Sequence, residues 1–194
     1  MNLNNPQVSI TVTKPWSGHD TLYITGPGGV GKSTLGKRLS PLLKLPAIDL
    51  DDEFCSRIGN IGDYIRTHGY ESYREQNNLL ARKLSSKGAM ATIWIMSSGF
   101  LAGPVPDDIY RDNRTLVESG YVISLMPATD IDEATRIVVD RQMNRGFNLD
   151  RHREERKFRE RYEQHRNFGD MLVTSAASPS SIADAVHSAL VFHR

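Results

Sequence analysis

The sequence predicts an α/β fold of three layers, with helices on both faces of a central parallel sheet of about five strands. Short β-forming runs alternate with helix-length segments along the chain. One of those runs, at 91–96, is apolar at almost every position, as strands covered on both faces are. A length of 194 residues suits one compact domain. Taken in order, 21–25 is a strand that stops at glycine, and 33–43 is a helix. A second strand falls at 46–50, and 61–86 reads as mostly helical. The apolar strand at 91–96 carries Trp94 into the core, and further strands fall at 121–126 and 171–174. The last helix starts after Pro179 and runs to about 190. Ahead of this pattern, 1–18 forms an extension in which 8–12 alternates like an added edge strand and Trp16 has no assigned place. The rest, 19–194, is expected to be a single domain.

Composition narrows the function classes. Hydrophobic residues make up 39% and charged residues 24%, which fits a soluble globular core. Lys and Arg number 24 against 23 Asp and Glu, so bulk electrostatic capture of nucleic acid or membrane is not expected. Cys55 is the one cysteine, which excludes an internal disulfide and a cysteine-based zinc site and fits a reducing, cytoplasmic setting. The apolar stretch at 89–105 is broken by Ser97, Ser98, Gly99, Gly103 and Pro104 and falls short of a membrane span. The N-terminus lacks the basic and apolar regions of a signal peptide. The six histidines show no spacing that builds a metal site or a nucleophile–base pair. A monomer is expected.

Gly26-Pro27-Gly28-Gly29-Val30-Gly31-Lys32-Ser33 fits G-x-x-x-x-G-K-[ST], the phosphate-binding P-loop. Glycines let the backbone wrap a triphosphate with its N–H groups turned inward, and the following helix adds its positive end. Lys32 is placed to reach the β- and γ-phosphates, the Ser33 hydroxyl to ligate Mg²⁺, and Thr34, next on the same helix start, to join the nucleotide-binding residues. A chance match in a chain of this length has odds of about one in a hundred. The strand before the motif and the helix after it are the context the mechanism demands. ATP and Mg²⁺ are therefore the expected cofactors.

Asp49, Asp51, Asp52 and Glu53 fall at the carboxyl end of the second strand, the edge where open α/β sheets bind ligands. In extended backbone Asp49 and Asp51 point the same way. One carboxylate would order magnesium-bound water and the other would accept the proton of a substrate hydroxyl. Asp52 is expected to cap the next helix, with Glu53 in its first turn.

With the P-loop, Asp49-x-Asp51, Gly69-Tyr70-Glu71-Ser72-Tyr73-Arg74-Glu75, Ser97-Ser98-Gly99 and Arg161-x₃-His165-x₄-Asp170, the chain resembles the shikimate kinase family of nucleoside-monophosphate-kinase-like P-loop proteins. The resemblance spans about 22–170. It implies direct transfer of the ATP γ-phosphoryl to a hydroxyl of shikimate or a similar hydroxy acid carrying a carboxylate. Asp51 would act at the reacting oxygen and Asp49 would help hold Mg²⁺. Arg74 and Arg161 would clamp the substrate carboxylate with their planar forks. Gly99 would offer a backbone N–H. Arg145, on a lid at about 142–154, would close over the transferring group, with 52–88 as the substrate-binding segment. Arg136 and Arg141 would stack on adenine or share the lid role.

The sequence departs from the family's usual pattern at named places. Ser97 and Ser98 stand where three glycines are usual, Gly146 follows Arg145 in place of proline, and Glu163 and His165 replace a proline and a tyrosine. Other acceptors therefore stay open: gluconate, a nucleotide or an antibiotic hydroxyl. A nucleotide-dependent switch is a further reading, although no Asn-Lys-x-Asp guanine motif occurs. The charged run at 145–166 is expected to be, for the most part, a solvated helix held by surface pairs.

Overall fold

The computed structural model describes residues 7–86, 90–102, 107–144 and 150–192. Six strands, β1 (Ser9–Val12), β2 (Leu22–Thr25), β3 (Ala47–Asp49), β4 (Ile93–Ile95), β5 (Tyr121–Met126) and β6 (Met171–Thr174), form one sheet in the order β1-β6-β5-β2-β4-β3. The five strands from β2 onward run parallel. The alternating segment near the N-terminus is β1, which closes the β6 edge in antiparallel register, Ser9 opposite Thr174 and Val12 opposite Met171. It brings Trp16 into the core, where the indole Nε1 donates to the Asp20 carbonyl at 3.0 Å.

Helices α1 (Lys32–Leu43), α2 (Leu50–Arg57), α3 (Ile61–His68), α4 (Tyr70–Ser85), α5 (Asp108–Glu118), α6 (Ile131–Met143), α7 (Arg151–His165) and α8 (Pro179–Phe192) cover the sheet. The period of two along each strand divides the interior. Leu22, Ile24, Ile93, Ile95, Ile123 and Leu125 face one way, onto apolar residues of α1, α6, α7 and α8. Tyr23, Trp94 and Val122 face the other way, onto Leu50 and Phe54 of α2, Tyr73 and Leu80 of α4, and Val117 of α5. Burial on both faces explains why β2, β4 and β5 read as largely apolar runs without polar alternation, Thr25 and Ser124 being the polar positions.

One local expectation is refined and another corrected. The helical stretch at 61–86 is two helices, broken where Gly69 takes a φ of 85°. The cap of α2 is Asp49 and not Asp52: its side chain accepts from the Asp51 N–H at 3.1 Å. Asp52 instead pairs with Lys37 at the surface, at 3.2 Å. Helix α2 thus begins directly at the end of β3, one turn earlier than the acidic run suggests.

Candidate active site

Strand β2 lies between β4 and β5. The chain leaves β2 through α1 on one face and leaves β4 through α5 on the other, so the carboxyl ends of these neighbouring strands open into the crevice where ligands bind in such folds. The P-loop fills that position. Gly26 has a φ of 141°, and a Cβ there would stand 2.5 Å from the Leu125 carbonyl oxygen, so the loop can turn this close to β5 only with glycine. Lys32 opens α1, and its buried Nζ donates to the carbonyls of Gly26 at 2.8 Å and Pro27 at 2.9 Å. The ammonium is thereby held over the loop, on the side that faces the acidic residues.

A cleft of about 340 Å³ runs from the loop into the acceptor side. Gly28, Gly29, Gly31, Lys32, Ser33, Thr34, Asp49 and Asp51 all border it, so the two expected halves of the site meet in one space. Asp49 and Asp51 do so by a different route from strand alternation, because Asp51 already belongs to the first turn of α2. Ser97 Oγ donates to Asp51 Oδ1 at 2.5 Å and accepts from Asn77 Nδ2 at 3.0 Å. Burial pushes the Asp51 carboxyl above its ordinary range, while the Ser97 hydrogen bond and the Lys32 charge pull against that rise.

Arg161 projects from α7 into the same cleft and is 9% exposed. Its Nη1 donates to Ser98 Oγ at 3.1 Å and its Nη2 to Tyr70 Oη at 3.1 Å. No carboxylate among the described residues pairs with it. Gly99 lies beneath Tyr70, and a Cβ there would stand 2.4 Å from the phenol oxygen. Arg74 is placed differently. Its buried guanidinium is taken up by Glu71 at 3.0 Å and by Asp107 at 2.7 Å, it ties α4 to the start of α5, and it does not border the cleft.

Helix α7 supplies a wall that the charged run does not suggest. Glu154, Lys157, Phe158 and Arg161 recur at helical spacing and face the cleft together. Surface pairs such as Arg151–Asp140 and Arg166–Glu163 occupy its other faces, so only that part of the helix is solvated as expected. The spacing back from Arg161 is the signal that could have found these residues. Gln142, at the end of α6, packs against Gly28 and Gly29 and also escaped the motif reading. Behind this wall, His165 is 2% exposed, and neither ring nitrogen has a hydrogen-bond partner among the described residues. Burial, with the charges of Lys32 and Arg161, pushes its pKa down to about 3.

A second cavity of about 290 Å³ lies on the other side of the loop, between Val30, Thr34, Leu35, Leu125, Arg141, Ala177, Pro179 and Ile182. Its mostly apolar walls and single guanidinium suit a nucleobase. Arg141 is there; Arg136 is exposed on α6 and borders neither cavity. Arg145 lies outside the described residues. No cluster of three or more His, Cys, Asp or Glu that could cage a metal occurs among the described residues. The Ser33 hydroxyl and Asp49 carboxylate on one cleft are hard oxygen donors, the small set that Mg²⁺ accepts when phosphates and water complete its shell.

The family model for shikimate kinase matches residues 28–191. The chain belongs to the shikimate kinase family. It is accordingly an ATP-dependent kinase that phosphorylates a hydroxyl group. It is 30% identical over 133 residues to the shikimate kinase of Enterococcus faecalis, covering 68% of this chain and 73% of that one. It is 32% identical over 121 residues to that of Chromohalobacter salexigens, covering 61% of each. Its fold matches the shikimate kinase of Acinetobacter baumannii in complex with shikimate with a TM-score of 0.66 at 21% identity, over 89% of this chain and 92% of the other. A gluconokinase from Sinorhizobium meliloti shares the fold with a TM-score of 0.60 at 15% identity, over 89% and 92%.

Proposed function

We propose that this member of the shikimate kinase family transfers the γ-phosphoryl group of ATP to a hydroxyl of shikimate or a closely similar cyclic hydroxy acid. The observation that carries this reading is Arg161: a buried cation on the same cleft as Lys32 and Asp51, bonded by two neutral hydroxyls and by no carboxylate among the described residues. A desolvated guanidinium without an anion is poorly compensated until one arrives, and a carboxylate matches its fork. Arg74, held by Glu71 and Asp107, braces α4 against α5 in this reading, and the carboxylate is gripped from the Arg161 side.

The acceptor would sit with its carboxylate on Arg161, Ser98 and Tyr70 and its reacting hydroxyl at Asp51. The P-loop amides and Lys32 would hold the β- and γ-phosphates, and Arg141 would cover the base. Mg²⁺, held through Ser33 and Asp49, would neutralise charge on the phosphates. Asp51 orients the acceptor oxygen and takes its proton as the new O–P bond forms. The bond from the γ-phosphorus to the bridging oxygen breaks, and ADP departs. Lys32 stabilises the charge that spreads over the transferring group.

An acceptor panel tests this reading, with ADP release followed for shikimate, shikimate amide and gluconate. Shikimate should stimulate turnover strongly and its amide weakly, and Asp51→Asn should retain ATP affinity while losing transfer. Equal stimulation by the amide would remove the carboxylate clamp, and stimulation by gluconate alone would replace the acceptor.

A further inference from the structure

Asp51 does not reach its position through α2 alone. Its carboxylate takes a hydrogen bond from a side chain on the loop after β4, and that side chain is in turn held from α4. The direction of each bond follows from the chemistry. An ionised carboxylate only accepts, and a serine hydroxyl carries one hydrogen, so Ser97 must spend it on Asp51 Oδ1. Asn77 must then present its amide nitrogen to Ser97 Oγ, because its oxygen would find no hydrogen there. Asn77 is 2% exposed, so this arrangement is not averaged by solvent. The loop itself is clamped nearby: Asn78 donates to Asn113, Asn113 donates to the Phe100 carbonyl, and the Phe100 N–H closes onto the Ser97 carbonyl at 3.0 Å.

We propose that Ser97 and Asn77 are positioning residues for phosphoryl transfer, a two-step relay in which Asn77 fixes the rotor of the Ser97 hydroxyl and that hydroxyl fixes the Asp51 carboxylate toward the acceptor. The inference rests on the role given to Asp51 above. It assigns work to Ser97, the side chain that stands where the family's glycine run would place none, and to an asparagine outside every motif. Lys32, Asp49, Asp52 and Tyr73 are the other charged or titratable groups around Asp51. The relay sets direction among them without adding charge.

A double-mutant cycle on kcat is the test, with ATP binding and thermal unfolding measured on each variant. Ser97→Ala should lower kcat roughly 10- to 100-fold, the range for a hydrogen bond to a charged group, with KM for ATP unchanged. Ser97→Thr, which keeps the hydroxyl, should recover most of the loss. Asn77→Ala should cost less than Ser97→Ala, and the double variant should be no worse than Ser97→Ala, because Asn77 acts through Ser97. Should the smaller side chain at 77 unfold the protein, Asn77→Leu takes its place in the cycle. A wild-type kcat in Ser97→Ala, or losses that multiply in the double variant, would overturn the relay. Asp51→Asn separates the two levels: if it transfers normally, the role of Asp51 fails. If it is inactive while Ser97→Ala is normal, only the relay fails.

Discussion

Replacing Arg161 with methionine removes the charge from the acceptor side of the cleft and keeps an unbranched side chain. In the free protein Arg161 holds only Ser98 and Tyr70, both neutral, so its loss strands no carboxylate among the described residues and the fold should survive. In the acceptor complex its two Nη groups would form charge-assisted bonds to a carboxylate, each worth about 1.5–3 kcal/mol. Ser98 and Tyr70 remain to bind the anion, so about 3 kcal/mol is the expected net loss, roughly 150-fold in kcat/KM for the acceptor. Initial rates of ADP release at saturating ATP, with the acceptor varied, measure it. The KM for ATP should stay within about twofold, since Arg161 is given no phosphate to hold. Tyr70→Phe, which deletes one neutral partner, should cost about 1 kcal/mol, roughly fivefold, in the same parameter. If Arg161→Met left kcat/KM for the acceptor unchanged, or raised the KM for ATP as much as that for the acceptor, the carboxylate clamp would be refuted.

Three further outcomes are expected. Lys32→Ala should lower kcat by about 10²–10³, the scale of losing one preorganised electrostatic donor, measured as initial rate at saturating substrates. Arg141→Ala should raise the KM for ATP about 3- to 30-fold through the lost cation–π cover of the base, with kcat nearly unchanged. His165 carries the pH prediction: its folded pKa, pushed down to about 3, lies below the ordinary value of 6.5, so the unfolded chain binds more protons between those limits. Stability should be full above pH 6.5 and fall as the pH drops through that window. Urea unfolding at pH 7 and pH 5 should show a loss of about 2 kcal/mol that His165→Leu abolishes.

The parts of this protein that are legible in its sequence are those encoded within a few residues. The P-loop is one, because its glycines, lysine and serine serve one local turn. The runs 121–126 and 171–174 are another, and β5 and β6 occupy those residues. Asp49 shows where local reading stops: the same carboxylate ends β3, caps α2 and borders the cleft, and an acidic run offers no way to choose its cap. Arg74 and Arg161 carry the same fork, yet one meets Glu71 and Asp107 while the other meets only hydroxyls. That difference is set by partners 33 and 91 positions away. The Asn77–Ser97–Asp51 chain joins α4, the loop after β4 and α2, contacts that no periodicity announces. Helix α7 had a readable signal in its spacing, but its charge reads first as solvation.

Phosphorus-31 spectra of the wild-type protein with ATP, magnesium and shikimate bear most directly on the cleft as a site of transfer. A new phosphate monoester on the acceptor, growing in step with ADP and absent with Asp51→Asn, is the predicted result. Inorganic phosphate in place of the ester, at a rate indifferent to shikimate, would contradict it.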